Sequence, residues 1–310
     1  MVKKENKATI GSQNRTVTPN EAKAALAHCL KLQRPLMMWG APGIGKSDIV
    51  KQIGEEQDRT VIDIRLPLWE PTDIKGIPYY NAKENNMVWA APAELPTDPK
   101  STAIIFLDEL NSAAPAVQAA AYQLILNRRV GQYHLPAGVS IVAAGNRDAD
   151  KGVTYRMPAP LANRFVHVEL RVDYDDWMIW ATNNYVHPDV VGYVTFAKQD
   201  LYDFDPRGAS RSFATPRSWS FVSELLSDVL PESTLTDLVA GAVGEGLAVK
   251  FMNHRKISGQ LPNPSDILSG KVKDLKCKEV SAMYSLTVSL CYELRQAHEK
   301  KEKNWNDLAD

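Results

Sequence analysis

The sequence predicts an α/β fold built on a parallel sheet, followed by a mainly helical second domain. Three observations predict it. Strand-like apolar runs alternate with segments of helical spacing from about residue 34 to 170. Several of those runs are apolar nearly throughout, as in strands covered on both faces. After Arg171 the strand signals fade and helical stretches follow, split by "DFDPRGASRSFATPR" and "SGQLPNPSD". The expected layout is a polar, mobile tail over 1–17, an α/β core over 18–170 and a helical part over 171–310.

The elements follow in chain order. "TPNEAKAALAHCLKLQ" has helical spacing, with Thr18 or Asn20 as its start signal. "RPLMMW" is a short apolar run that stops at a glycine-rich stretch, hence a buried strand. "KSDIVKQIGEEQ" is helical again, and "TVIDIRL" is a strand rich in β-branched residues. The proline-rich stretch from Pro67 to Pro99 holds "IPYYNAKENNMVWA", two apolar or aromatic arms around Asn85-Asn86. This reads as a β-hairpin insert at about 77–91. "TAIIFL" is the next buried strand. Pro115 to Arg129 forms a helix with Val117, Ala121, Leu124 and Arg128 on one side, and Pro115 suits its first turn. "VSIVAA" is a fourth strand and "RFVHVEL" a fifth. The end, "RQAHEKKEKNWNDLAD", is a charged helix end or tail.

Composition narrows the function classes. The 310 residues suggest two domains at about 150 residues each. Thirty-six basic residues against 37 acidic ones give a net charge of −1, so no global field draws the chain to nucleic acid or anionic lipid. Cys29, Cys277 and Cys291 are odd in number and widely spaced, which argues for reduced thiols in a cytoplasmic compartment. His28, His187 and His298 read as ordinary surface or core residues, with no metal-ligand spacing. The basic start has no apolar run behind it, and no stretch of about 18 apolar residues is present, so no signal peptide or membrane span is expected.

The chemistry is carried by "GAPGIGKS", residues Gly40, Ala41, Pro42, Gly43, Ile44, Gly45, Lys46 and Ser47. This matches the phosphate-binding pattern G-x-x-x-x-G-K-[ST], and it follows a buried strand and opens a helix. Glycines let main-chain N–H groups turn inward around phosphate oxygens, and the helix N-terminus adds free donors and partial positive charge. Lys46 would reach the β- and γ-phosphates of ATP, and Ser47 would offer a hydroxyl to Mg²⁺. Asp108-Glu109 follows "AIIFL" at a strand end. Asp108 would hold the metal, and Glu109 would polarise the attacking water. Asn146, after "VSIVAAG", could reach the γ-phosphate or the water, although alone it reads as a turn cap. Arg164 in "LANRF" and Arg217 in "TPRSW" are candidate cations for the charge that develops during phosphoryl transfer. Either alone would read as a surface residue.

The order GAPGIGKS, AIIFLDE, AAGN, LANRF, TPRSW resembles the AAA+ ATPases and, within them, the MoxR-like branch. "LPLWEPTDIKGIPYY", "LDELNSAAPAVQAAAYQLILNRRVGQYHLPAGVSIVAAGNR" and "VGEGLAVKF" are similar to matching stretches of that branch, so the resemblance runs from about Thr18 to Gly270. It implies an AAA+ P-loop NTPase core with a five-stranded parallel sheet in the order 5-1-4-3-2 and a C-terminal helical lid. Asn146 would be sensor 1 and Arg217 sensor 2. Arg164 would be an arginine finger acting on the ATP of the next subunit, which makes a ring, usually a hexamer, the expected homo-oligomer. Arg147 could be a second interface arginine, whereas Arg207 and Arg211 read as solvated loop residues. The hairpin bearing Tyr79, Tyr80 and Trp89 would be the family's insert, and Arg129 to Pro136 a second projection. For these aromatics, contact with a client competes with packing on the domain surface, the ordinary reading for any one of them.

The resemblance implies an ATPase that remodels or matures a protein client, commonly with a partner bearing a von Willebrand A domain. Two other functions compete. One is a nucleic-acid-linked AAA+ motor or restriction-type NTPase, which the balanced charge disfavours. The other is a nucleotide-gated scaffold with little turnover, which Glu109, Asn146 and Arg164 argue against. The guanine-reading Asn-Lys-x-Asp pattern is absent, because Asn6-Lys7 continues as Ala-Thr, and this favours ATP.

Overall fold

The computed structural model describes residues 15–299 apart from Lys151, Val153, Ala209, Gly259, Gln260 and 273–278. The expected tail up to Asn14, Cys277 and the charged end beyond Glu299 lie outside the described residues. The chain divides into two compact units, Met1–Arg171 and Val172–Asp310.

The first unit alternates strands and helices in this order: β1 (Thr16–Val17), α1 (Pro19–Lys31), β2 (Leu36–Trp39), α2 (Lys46–Glu56), β3 (Val61–Arg65), α3 (Pro71–Lys75), β4 (Ile77–Asn81), β5 (Asn86–Ala90), β6 (Ile104–Asp108), α4 (Pro115–Asn127), β7 (Arg129–Val130), β8 (Tyr133–His134), β9 (Ser140–Gly145), α5 (Ala159–Ala162) and β10 (Val166–Leu170). The main sheet is parallel, in the order β1-β10-β2-β9-β6-β3. Its inner strands β6 and β9 are buried at every residue, which matches their continuous apolar sequence. The edge strand β3 is mostly part-exposed and carries Asp63 and Arg65.

Five of these strands keep the order 5-1-4-3-2 expected for the core. The sheet nevertheless has six strands, which corrects the expected count and moves Thr16 and Val17 out of the tail. β1 runs beside β10, with Thr16 opposite Glu169 and Val17 opposite Leu170. Arg171 N–H donates to the Val17 carbonyl at 3.0 Å. Two residues carry no periodic signal; what specifies them is the unpaired edge that β10 presents. Directly after β1, Thr18 caps α1 in a capping box: Glu21 N–H donates to Thr18 Oγ1 at 3.3 Å, and Thr18 N–H donates to Glu21 Oε2 at 2.9 Å.

The core lies between the sheet and α4, where Met37, Ile105, Leu107, Val117, Ala121, Leu124, Ile141 and Ala143 are buried together. β4 and β5 form an antiparallel hairpin pairing Ile77 with Ala90 and Asn81 with Asn86. Gly76 permits its base: φ is +84°, and a Cβ there would sit 1.8 Å from the Ala90 carbonyl oxygen. Tyr79 and Tyr80 are exposed at 52% and 66%. Trp89 instead lies beside Gly131 of the second hairpin, β7–β8, and its N–H donates to Gln132 Oε1 at 3.4 Å. Trp89 is thus a packing residue between two projections, whereas the tyrosines face solvent.

The second unit is helical: α6 (Tyr174–Asn183), α7 (Pro188–Phe196), α8 (Pro216–Leu225), α9 (Glu232–Val243), α10 (Glu245–Ser258), α11 (Pro264–Leu268) and α12 (Val280–Glu299). Its core gathers Tyr193, Trp219 and Phe251, whose ring centroids lie 5.4–5.7 Å apart. Asp200 satisfies both polar handles: Tyr193 Oη donates to its Oδ2 at 2.6 Å, and Trp219 Nε1 donates to its carbonyl at 2.9 Å. Among the described residues, no helix is long and apolar enough to cross a membrane.

Phe106 is 1% exposed in β6. Phe106→Ala should destabilise the first unit by about 3–5 kcal/mol, as lost transfer energy plus a cavity. Urea unfolding should show a lower midpoint at unchanged slope; an unaltered midpoint would place Phe106 outside the core.

Candidate functional site

The site forms where β2, β9 and β6 end. Beyond Trp39 the chain leaves the sheet through Gly40, whose N–H still donates to the Gly145 carbonyl at 3.2 Å. A Cβ on Gly40 would lie 2.6 Å from Ile44 Cδ1 and 3.2 Å from the Leu170 carbonyl, so glycine permits the tight exit. Ala41 and Ile44 are buried and anchor the loop from below. Gly43 and Gly45 sit at φ +75° and +95°, the region that L side chains avoid. Gly45 is the N-cap of α2 and has no side chain to occupy the helix's first N–H groups. Those donors therefore line the loop, as an anion site needs.

Lys46 opens α2, and its ammonium donates to the carbonyls of Gly40 at 2.7 Å and Ala41 at 2.9 Å, and to Asn146 Oδ1 at 3.2 Å. Ser47 Oγ donates to Asp108 Oδ2 at 3.2 Å. A hydroxyl and a carboxylate thus converge beside the loop, a hard-oxygen pair suited to a small divalent cation. Asp108 is buried and also accepts from Glu109 N–H at 2.9 Å. Glu109 takes a left-handed conformation, φ +55°, and is exposed, whereas Asp108 is buried. On the neighbouring strand, loss of water and then the charge of Asp108 raise the Asp63 carboxyl above its ordinary range.

Asn146 is held from two directions. Asn111, 2% exposed, meets its main chain as one amide meets another: Asn111 Nδ2 donates to the Asn146 carbonyl at 2.8 Å, and Asn146 N–H donates to Asn111 Oδ1 at 3.1 Å. A Cβ at Gly145 would lie 2.5 Å from that Oδ1, so Gly145 makes the approach possible. Sequence reasoning assigns Asn111 no role; the one available signal is a polar residue in the turn directly after Asp108-Glu109. On the other side, Arg147 pairs with Asp150 at 2.8 Å and Glu169 at 3.0 Å. Hydrogen bonds to Asp150 and then Glu169 hold its guanidinium above its ordinary range, against burial. Arg147 thus has two carboxylate partners inside its own chain and keeps a side chain 36% exposed.

The structure brings Lys46, Ser47, Asp108 and Asn146 together. Within the same unit, Arg164 makes no hydrogen bond or ion pair with them. Arg164 is exposed just beyond α5, and its guanidinium has no hydrogen-bond or ion-pair partner among the described residues. Arg217 lies exposed in the first turn of α8, in the second unit, where Thr215 and Ser218 form a capping box.

A parallel sheet with a glycine loop opening a helix at its C-terminal edge, and an acidic strand end beside it, defines a P-loop nucleotide-binding protein. Residues 35–167 match the model of the ATPase family associated with various cellular activities (AAA). The match lies within the first unit, spans less than half of the chain, and takes in the glycine loop, Asp108-Glu109 and Asn146. Midasin of Giardia intestinalis is 30% identical over 181 residues, covering 54% of this chain but only 4% of midasin's own length. Among solved structures, the RuvB Holliday junction branch migration motor of Thermotoga maritima aligns at 16% identity, over 87% of this chain and 86% of its own, with TM-score 0.41. NtrX of Brucella abortus in complex with ADP aligns at 12% identity over 93% and 68%, with TM-score 0.45.

Arg147→Met removes the guanidinium partners of Asp150, whose side chain is 2% exposed. The cost should be about 1–3 kcal/mol, that of an under-satisfied buried acceptor. Urea denaturation measures it; a loss below the error of the method would mean that Asp150 finds other partners.

Proposed function

We propose that this chain is an ATPase of the MoxR-like AAA+ branch, hydrolysing ATP to ADP and phosphate in a homo-oligomeric ring, a hexamer, to remodel or mature a protein client. The observation that carries the reading is the convergence of Lys46, Ser47, Asp108 and Asn146 at one edge of the sheet. The AAA-family match over 35–167 supports it, and so does the run of motifs through Arg217.

In this reading, main-chain N–H groups from Gly43 to Ser47 bind the phosphates, and Lys46 turns from the loop carbonyls to the β- and γ-oxygens. Ser47 and Asp108 would hold Mg²⁺, which supplies charge neutralisation on the phosphate oxygens when bound. Glu109, exposed beside the buried Asp108, polarises the attacking water. Asn146 orients that water against the γ-phosphate. The unpartnered Arg164 reaches the ATP of the adjacent subunit, and Arg217 contributes from the helical unit of its own. Loss of the γ-phosphate removes the contacts that Asn146 and Arg217 make to it, and this converts chemistry into a change of lid and interface geometry. The exposed Tyr79 and Tyr80 give the ring an apolar projection for a client, and a von Willebrand A domain protein is the partner expected from the branch.

Phosphate release measured against protein concentration, with mass photometry alongside, tests the reading. The wild-type rate per subunit should rise as rings form. Glu109→Gln should lower it by about 10²–10⁴-fold with ATP binding intact. Arg164→Ala should lower it by about 10³–10⁵-fold and leave it flat with concentration. Full activity in Arg164→Ala, or a concentration-independent wild type, would count against a finger acting between subunits. Stimulation by DNA or RNA that fades with salt would favour a nucleic-acid motor instead.

A further inference from the structure

We propose that Asn111 is a positioning residue for the reaction: it sets the place of Asn146 relative to Glu109, so that one short turn governs both the water-polarising carboxylate and the residue that senses the γ-phosphate. The proposal rests on the ATPase reading of Asn146 and Glu109.

Three observations carry it. Asn111 belongs to the 3-10 turn Leu110–Ser112, which begins directly after Glu109, and its side chain is 2% exposed. Its carboxamide occupies both main-chain hydrogen-bonding groups of Asn146, at 2.8 and 3.1 Å. A carboxamide that both donates to and accepts from one residue fixes that residue's position and peptide plane, which a single bond does not. Third, the Asn111 carbonyl accepts from Tyr155 N–H at 2.7 Å, so the same turn also anchors the segment leading to α5 and Arg164.

The side chain of Asn146 is free to choose partners; its Oδ1 here accepts from Lys46. Its backbone is not free, because β9 holds it from behind and Asn111 from the β6 side. Any movement of the turn that aims Glu109 must therefore carry Asn146 with it. Rigid support of this kind matters because catalytic groups misplaced by about 1 Å lose on the order of 10²-fold in rate.

The test compares wild type, Asn111→Ser, Asn146→Ala and the double variant, with Gly145→Ala as a second way to displace the carboxamide, since its Cβ would lie 2.5 Å from Asn111 Oδ1. Turnover is read as kcat and KM, and binding as the affinities for ATP and ADP measured separately by calorimetry. The expected result is a fall in kcat of about 10²-fold for Asn111→Ser, with KM and ADP affinity close to wild type. Asn146→Ala should remove most of that effect, so the double variant is no slower than Asn146→Ala alone. Gly145→Ala should follow Asn111→Ser. Equal losses in both backgrounds, or a parallel fall in ADP affinity and thermal stability, would make Asn111 merely structural and overturn the proposal. Should the wild type bind ATP without releasing phosphate, the turnover reading fails by itself. The preference for ATP over ADP then decides: its loss in both Asn111→Ser and Asn146→Ala supports the proposal, and its retention in Asn111→Ser overturns it. A wild type that binds neither nucleotide overturns both.

Discussion

The parallel register of β2, β9 and β6 is the constraint on which the site depends. Trp39 lies opposite Gly145, and Leu107 lies opposite Ala143. Parallel strands deliver their C-terminal ends to one edge, and residues far apart in the chain meet there. A slip of two residues in either pairing would keep every side chain on its proper face. It would still carry Asp108 or Asn146 about 6–7 Å along the strand, out of reach of Ser47 or Lys46. The continuous apolar runs in β6 and β9 lock that register only through packing against α4 and the other covering elements, so core and site are one problem.

A cluster of polar groups at a buried strand end has to satisfy itself. Each buried hydrogen bond contributes a net of roughly 1 kcal/mol, whereas an orphaned group costs about 1–3 kcal/mol. The chain meets this demand locally. Asn111 pairs with the main chain of Asn146, Arg147 spans Asp150 and Glu169, and Asp108 accepts from its neighbour's N–H and from Ser47. Glycine supplies what side chains would obstruct, most directly at Gly145, where a methyl group would strike the Asn111 carboxamide. The same geometry leaves Glu109 outward and exposed, in a left-handed conformation that turns the chain sharply at the strand end.

The helical unit is built by other means. Its core depends on Tyr193, Trp219 and Phe251 and on the single carboxylate and carbonyl of Asp200 that take their polar atoms. The cap at Thr215 fixes the start of α8 and so the position of Arg217 in its first turn. In the α/β unit, the β4–β5 hairpin divides its aromatic residues: Trp89 supports the second projection, and Tyr79 and Tyr80 remain available at the surface.

Much of this was legible in the sequence, where the information is local. The glycine loop, Lys46, Ser47 and the Asp108-Glu109 pair are read from spacing, because phosphate and metal chemistry dictate residue types a few positions apart. The five core strands are read from apolar runs, because burial on both faces leaves that mark. Asn111 carries no such mark: its meaning lies in facing Asn146, 35 positions away. β1 carries none either, since two residues become a strand only because β10 offers a free edge. Arg147 and Trp89 have partners that local spacing does not specify. The sequence by itself determined the class of fold and the phosphate-binding chemistry, because both are encoded in short-range pattern. Only the tertiary structure decided which polar groups satisfy one another, because hydrogen bonds between strand ends depend on register, and register is settled by the packing of the whole sheet.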